Sequence, residues 1–184
     1  DDLDGMGVLS VLVAEADGGL GLDELPLVPV LEEAGRAAFA GPLVETALVA
    51  APLGVAGRVT AAWGDDPAPW VDGADAVLVV TAGAVRRAEP VEEVPAVDPG
   101  RPLHRVRPVD GGVVTDDPAA VALAFDRAVL GQAAVAVGLA HRMVELAVAH
   151  VVDRHQFGVP IGSFQAVKHH LAGARIAVEF AGPA

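Results

Sequence analysis

The sequence predicts a mainly α protein in which a small antiparallel β insert separates N-terminal helices from a C-terminal helical bundle. Three observations carry that expectation. Apolar residues recur at helical spacing as far as Gly57; proline and glycine cluster between about Asp65 and Asp117, where the apolar runs shorten; and Ala119 to His155 is rich in alanine and free of proline. The matching divisions are 1–64, 65–117 and 118–184.

In the first division the turn Asp17-Gly18-Gly19 and the prolines Pro26, Pro29, Pro42 and Pro52 break the apolar pattern into short helices. Within Leu31 to Phe39, Glu32 and Glu33 precede Arg36 by four and three positions, a spacing that supports an exposed helical face, and Gly41-Pro42 then stops the helix. Leu43 to Leu53 resumes as an apolar helix. In the insert, Ala76–Val80, Leu103–Val109 and Gly112–Thr115 have the length of strands bounded by turn residues. Leu103-His104-Arg105-Val106-Arg107 alternates in part, as a strand with one wet face should.

Pro118 stands where a helix can start, and the run that follows has only four charged residues before Asp153. Its centre is apolar all round, so other helices must cover it, in a bundle or at a subunit interface. Gly158 and Pro160 are expected to end it, and Ser163 to cap a last helix from Phe164 to about Phe180. No internal repeat is evident.

The chain has 184 residues, 53% of them hydrophobic, which suits a soluble globular protein and excludes a disordered one. The uncharged stretch Ala128–Ala140 would span about 20 Å as helix, which predicts no membrane span. Net charge is −13, and only Lys168 is a lysine among the 12 basic residues, so no basic stripe exists for nucleic acid. The absence of cysteine removes disulfides, thiolate nucleophiles and thiolate metal sites and, with no charged-then-apolar leader, predicts a cytoplasmic location.

Several motif-like features carry no chemistry. Gly18-Gly19-Leu20-Gly21 lacks the spacing of a dinucleotide loop and follows no plain strand. The acidic stretches Asp1–Gly5 and Asp65-Asp66 with Asp72 and Asp75 lack the oxygen pattern of a calcium loop. The six histidines include no H-E-x-x-H, and the adjacent His169 and His170 face different ways on a helix, so no metal site is expected. The two serines, Ser10 and Ser163, sit in no nucleophile elbow.

The informative stretch is Asp153-Arg-His-Gln-Phe-Gly-Val-Pro-Ile-Gly-Ser-Phe-Gln-Ala-Val-Lys-His-His-Leu-Ala172. Gly158, Pro160 and Gly162 fold the chain back between Arg154 and Gln165, so that both side chains can border one polar cleft. A guanidinium there suits a phosphate, and Phe157 offers a face to a planar ring. Without chemistry, the same residues make a helix-cap arginine and a core phenylalanine.

This stretch resembles the acyl-CoA dehydrogenase family in the pattern R-x-Q-F-G-x-P-I-x-x-F-Q-x-x-x-H-x-L-A, which in the family follows a long helix of the C-terminal domain. Asp17-Gly-Gly-Leu-Gly-Leu22, Leu31-Glu-Glu-Ala-Gly-Arg-Ala37 and Pro42 are similar to the family's N-terminal helices, and Val97-Asp-Pro-Gly-Arg-Pro-Leu103 to the end of the β domain in its short variants. The resemblance implies FAD at a subunit interface, with Arg154 and Gln165 reaching the diphosphate and adenosine end of the neighbour's flavin and Phe157 packing nearby. It implies α,β-dehydrogenation of an acyl-CoA thioester: a base takes the α-proton and the flavin accepts a hydride from the β-carbon.

Departures from the family pattern imply an alternative role. Trp63 and Trp70 do not reproduce the tryptophan-centred motif that embraces the flavin ring, Gly173 replaces an aspartate, and His150 stands where tyrosine is common. The resemblance places the chain's end before the helices that supply a Q-x-x-G-G contact and, in most members, the catalytic glutamate. Some members carry the base near the start of the long helix, and the carboxylate at that place is Asp126. The alternative is a non-catalytic partner subunit of a hetero-oligomeric acyl-CoA dehydrogenase, contributing only interface contacts to its neighbour's FAD; in either role the partner expected is another subunit of a homo- or hetero-oligomer.

Overall fold

The computed structural model describes residues 5–182; Asp1–Asp4 of the acidic N-terminal stretch and the terminal Pro183-Ala184 lie outside the described residues. Helix α1 is Leu27–Arg36, α2 is Pro118–Asp153 and α3 is Gln165–Ala181. Strands β1 (Val59–Trp63), β2 (Ala68–Pro69), β3 (Ala76–Val80), β4 (Val85–Val94) and β5 (Leu103–Thr115) form one sheet in the order β1-β3-β4-β5-β2. Strands β6 (His155–Gln156) and β7 (Val159–Pro160) pair separately. The chain divides into two compact units, one holding residues up to Val28 together with Ala40–Gln132, the other Pro29–Phe39 and the chain from Ala133 onward.

In the first unit the sheet is mixed: β1 runs parallel to β3, and the other pairings are antiparallel. Within 65–117 the strands pair antiparallel as expected; the parallel member, β1, lies within the segment read as helical. The reason is local. Val59–Trp63 is buried on both faces but for its end, so it lacks the alternation that marks a half-wet strand. The expected runs 103–109 and 112–115 are one strand, bulged between Pro108 and Val113, with Gly111 in the left-handed region.

Val59, Ala61, Leu78 and Val80 pack on Val121, Ala124 and Ala128 of α2 and on Val49, Ala50 and Val55. Ala62, Val77 and Val79 face the other way, onto Ala68 and Val71. Residues 43–53 are helical as expected, but Glu45–Ala50 takes π register and Ala51–Leu53 closes as a 3-10 turn. Pro52 has no N–H to give an α-helical partner, which fits the change of register there. Thr46 Oγ1 both donates to the carbonyl and accepts from the N–H of Val59, at 3.0 Å each, and ties this segment to β1. Arg127 of α2 holds Glu24 at 2.6 Å.

Pro26 and Pro29 do not break α1. They stand before it and in its first turn, where the backbone N–H has no partner to lose. The helix ends at Arg36, before Gly41-Pro42, with Ala38 in the left-handed region. Pro118 opens α2 as expected, with Asp117 Oδ1 accepting from the N–H of Ala119.

In the second unit α1 meets α2 through glycines. A side chain at Gly35 would overlap the carbonyl of Val135, and one at Gly138 the carbonyl of Glu32. Arg36 bonds Glu145 at 2.8 Å, and Arg142 reaches the same carboxylate at 3.4 Å. Desolvation would raise the pKa of Glu145, but hydrogen bonds from Arg36 and Arg142 outweigh it and hold the group below 4.5. As a whole, α2 is long and apolar enough to cross a bilayer, although its uncharged centre alone is not. Length and composition alone do not make it a span, and Val121, Ala124 and Ala128 serve as core residues of the first unit.

Candidate functional site

Helix α2 stops at Asp153, five residues before Gly158, when the N–H of Arg154 makes a last bond to His150 at 2.9 Å. The chain then forms a two-residue hairpin, with His155 opposite Pro160 and Gln156 opposite Val159. Its turn residues Phe157 and Gly158 have φ of 54° and 80°, the positive pair that a tight hairpin with right-handed twist demands. Glycine does this freely, whereas a bulky aromatic does so under strain of about 1–3 kcal/mol. Gly158 is thus a turn residue, not the helix stop the sequence suggested.

This geometry lifts Phe157 out of any core: it is 93% exposed and touches Phe164 edge-on at 6.3 Å between centroids. The N–H of Ile161 bonds the carbonyl of Arg154 at 2.8 Å, and that of Phe164 the carbonyl of Ile161 at 3.2 Å. The turn Ile161–Ser163 moves the N-cap position of α3 onto Phe164, and Ser163 makes no cap bond, against expectation.

Arg154 and Gln165 are both exposed, at the end of one helix and the start of the next. Among the described residues no carboxylate pairs with the Arg154 guanidinium, and Gln165 Nε2 lies 3.4 Å from His169 Nε2. From Arg154 to Val178 the sequence has no aspartate or glutamate, although the chain carries 25. Arg154, Lys168, Arg175 and three histidines fall in that stretch, a local excess of positive charge in an acidic protein. A count of acids along the sequence would have shown it.

The groove in this unit lies elsewhere, about 500 Å³ lined by Val144, Glu145, Val148, Ala149, Leu171, Ala172 and Arg175. Arg154 and Gln165 are not among its lining.

In the first unit Asp126 is exposed on α2. Its neighbour Phe125 meets Trp63 edge-on at 6.0 Å, and Arg127 is engaged by Glu24. Trp70 has φ of 58° and carries the Arg101 guanidinium 5.8 Å from its ring centre. Sequence reasoning missed Glu45, a carboxyl 5% exposed in the π-helical segment and bonded by Gln132 Nε2 at 3.3 Å. The available signal was a lone acid inside an apolar helix.

The fold and this helix-hairpin-helix define the class first: the architecture is that of the acyl-CoA dehydrogenases. Residues 119–182 match the family model for the acyl-CoA dehydrogenase C-terminal domain. The chain is 32% identical over 193 residues to acyl-CoA dehydrogenase IpdE2 of Mycobacterium tuberculosis, with 94% of this chain and 58% of that protein covered. Among solved structures it superposes on the Tcur3481-Tcur3483 steroid ACAD with a TM-score of 0.70 at 26% identity, covering 96% of this chain and 63% of that one. On the ChsE4-ChsE5 complex of M. tuberculosis the TM-score is 0.73 at 22% identity, over 97% and 64%. Together these findings support a member of the acyl-CoA dehydrogenase family. It spans 58% to 59% of the length of its IpdE2 relatives.

Proposed function

We propose that the chain is an acyl-CoA dehydrogenase-like flavoprotein subunit whose C-terminal hairpin helps to hold the FAD of a neighbouring subunit. The observation that carries this reading is Arg154, exposed, without a carboxylate partner among the described residues, at the head of a stretch free of acidic residues. The donor set fits the group. A guanidinium fork matches diphosphate oxygens, the Gln165 amide can bond the adenosine end, and the exposed Phe157 ring offers an apolar face. When bound, FAD supplies the hydride acceptor for α,β-dehydrogenation of an acyl-CoA thioester. Arg154 and Gln165 hold and orient it, and the hairpin fixes the spacing between them. Asp126 is the base candidate this chain offers, exposed on α2 and shorter than a glutamate.

A second reading, the non-catalytic partner subunit, draws support from the small sheet and from two neighbours whose names pair two proteins. We place either form in the cytoplasm, since a chain without cysteine suits a reducing compartment. The test is anaerobic bleaching of flavin absorbance on mixing with a panel of acyl-CoA thioesters. Bleaching only when a partner is co-expressed supports an interface role for this chain, and bleaching by the isolated chain makes Asp126 the leading base. No bleaching in any assembly contradicts the dehydrogenase reading.

A further inference from the structure

Glu45 has no role in the reading above, yet it is an acid 5% exposed inside a helix, and its carboxyl meets water hardly at all. Its place follows from close packing. Gly131 of α2 has no side chain, and a Cβ there would press on Leu48 Cδ1 and Val44 Cγ1, so the helical segment lies directly on α2. That approach brings Gln132 Nε2 to within 3.3 Å of Glu45 Oε1. The 3-10 turn Val8–Ser10, strand β1 and the turn Ala51–Leu53 also pack on the π segment, and none of them carries an ionisable side chain. The Gly131-Gln132 stretch adds none. Among the described residues, Arg101 acts on Glu45 by charge.

One amide donor is little compensation for a buried carboxylate, whereas the neutral acid accepts the same bond without a buried charge. We propose that the Glu45–Gln132 contact is a proton-operated clasp: closed while Glu45 is a carboxylic acid, loosened when it ionises. Desolvation is the main influence on Glu45 and raises its pKa above 4.5, against smaller lowering effects from its own backbone N–H and from Arg101. A raised folded value means that the contribution to stability is complete below 4.5 and is lost as pH rises through the folded value. The π-helical segment is the moving part, because such register changes concentrate where helices work.

The experiment follows the Glu45 side-chain carboxyl by 13C NMR in the full chain, with amide exchange of residues 43–53 measured over the same pH range. The expected result is a midpoint above 4.5, with protection across 43–53 falling about tenfold per pH unit between 4.5 and that midpoint, after correction for intrinsic exchange. In Glu45→Gln, which keeps size and bonding, protection should be independent of pH. A midpoint at or below 4.5 overturns the proposal, as does a pH profile shared by wild type and Glu45→Gln. The wild-type titration needs no variant to fold.

Discussion

The backbone N–H of Ile161 bonds the carbonyl of Arg154 at 2.8 Å and so closes a hairpin between the end of α2 and the start of α3. Because of that bond, Arg154 leads into the hairpin on one strand while Gln165 follows it by one short turn. The aromatic that tips the hairpin is held at a positive φ.

Phe157→Asn should separate the ring's two roles. Asparagine accepts the left-handed turn readily, so thermal stability should be unchanged or rise by up to about 1 kcal/mol. Flavin retention should fall, because the exposed aromatic face is gone. Calorimetry and flavin absorbance on the same preparation give the two readings. Retained flavin would remove Phe157 from the site.

The Arg127–Glu24 pair is half-buried and joins α2 to the N-terminal segment. Arg127→Ala should destabilise the chain by about 1.5–3 kcal/mol at neutral pH, measured by urea unfolding. The side-chain hydrogen bond from Arg127 is the main cause that keeps Glu24 below 4.5. That contribution is therefore present above 4.5 and lost as pH falls through the folded value, so the variant should show a shallower acid limb.

These predictions rest on contacts the sequence showed unevenly. Helix α2 was legible because alanine, the absence of proline and Pro118 at its start all agree. Strand β3 was legible as a short apolar run between turns. Strand β4 was not, since Arg86, Arg87, Glu89, Glu92 and Pro90 hide it; Glu92 and Glu89 are paired across the ladder by Arg105 and Arg107. Arg154 and Gln165 were singled out by their motif, while the hairpin between them was missed. A Phe-Gly pair is not an ordinary signal for a turn that needs two positive φ angles. Glu45 was legible only as a lone acid inside an apolar helix; its burial is a property of packing, completed where Gly131 and Gln132 lie beside it.

Gly138→Ala tests the contact between α1 and α2. The added methyl would overlap the Glu32 carbonyl, which belongs to backbone that cannot rotate away. A loss of about 1–3 kcal/mol or more is expected in urea unfolding, and Gly173→Ala, with open space around it, should be nearly neutral or slightly stabilising. Equal effects at both sites would contradict the packing.

Association follows from the apolar side chains that the helices leave exposed: Leu139, Met143, Leu146 and Val152 on α2, and Ile176 and Phe180 on α3. Such a surface suits burial against other protein. Light scattering on the isolated chain should report a dimer or larger, and Met143→Glu together with Ile176→Glu should shift it toward monomer. A monomer in the unmodified chain would count against the subunit-interface reading.

The most direct test of the account is the FAD dissociation constant of the purified assembly with and without Arg154→Ala. Loss of one hydrogen-bonded charge, worth about 1.5–3 kcal/mol, corresponds to an affinity weaker by about 10- to 150-fold. Arg154→Lys should recover only part of it, because an ammonium keeps the charge but not the fork of donors. Unchanged affinity in Arg154→Ala, with the assembly intact by light scattering, would contradict the claim that this helix end holds a flavin diphosphate.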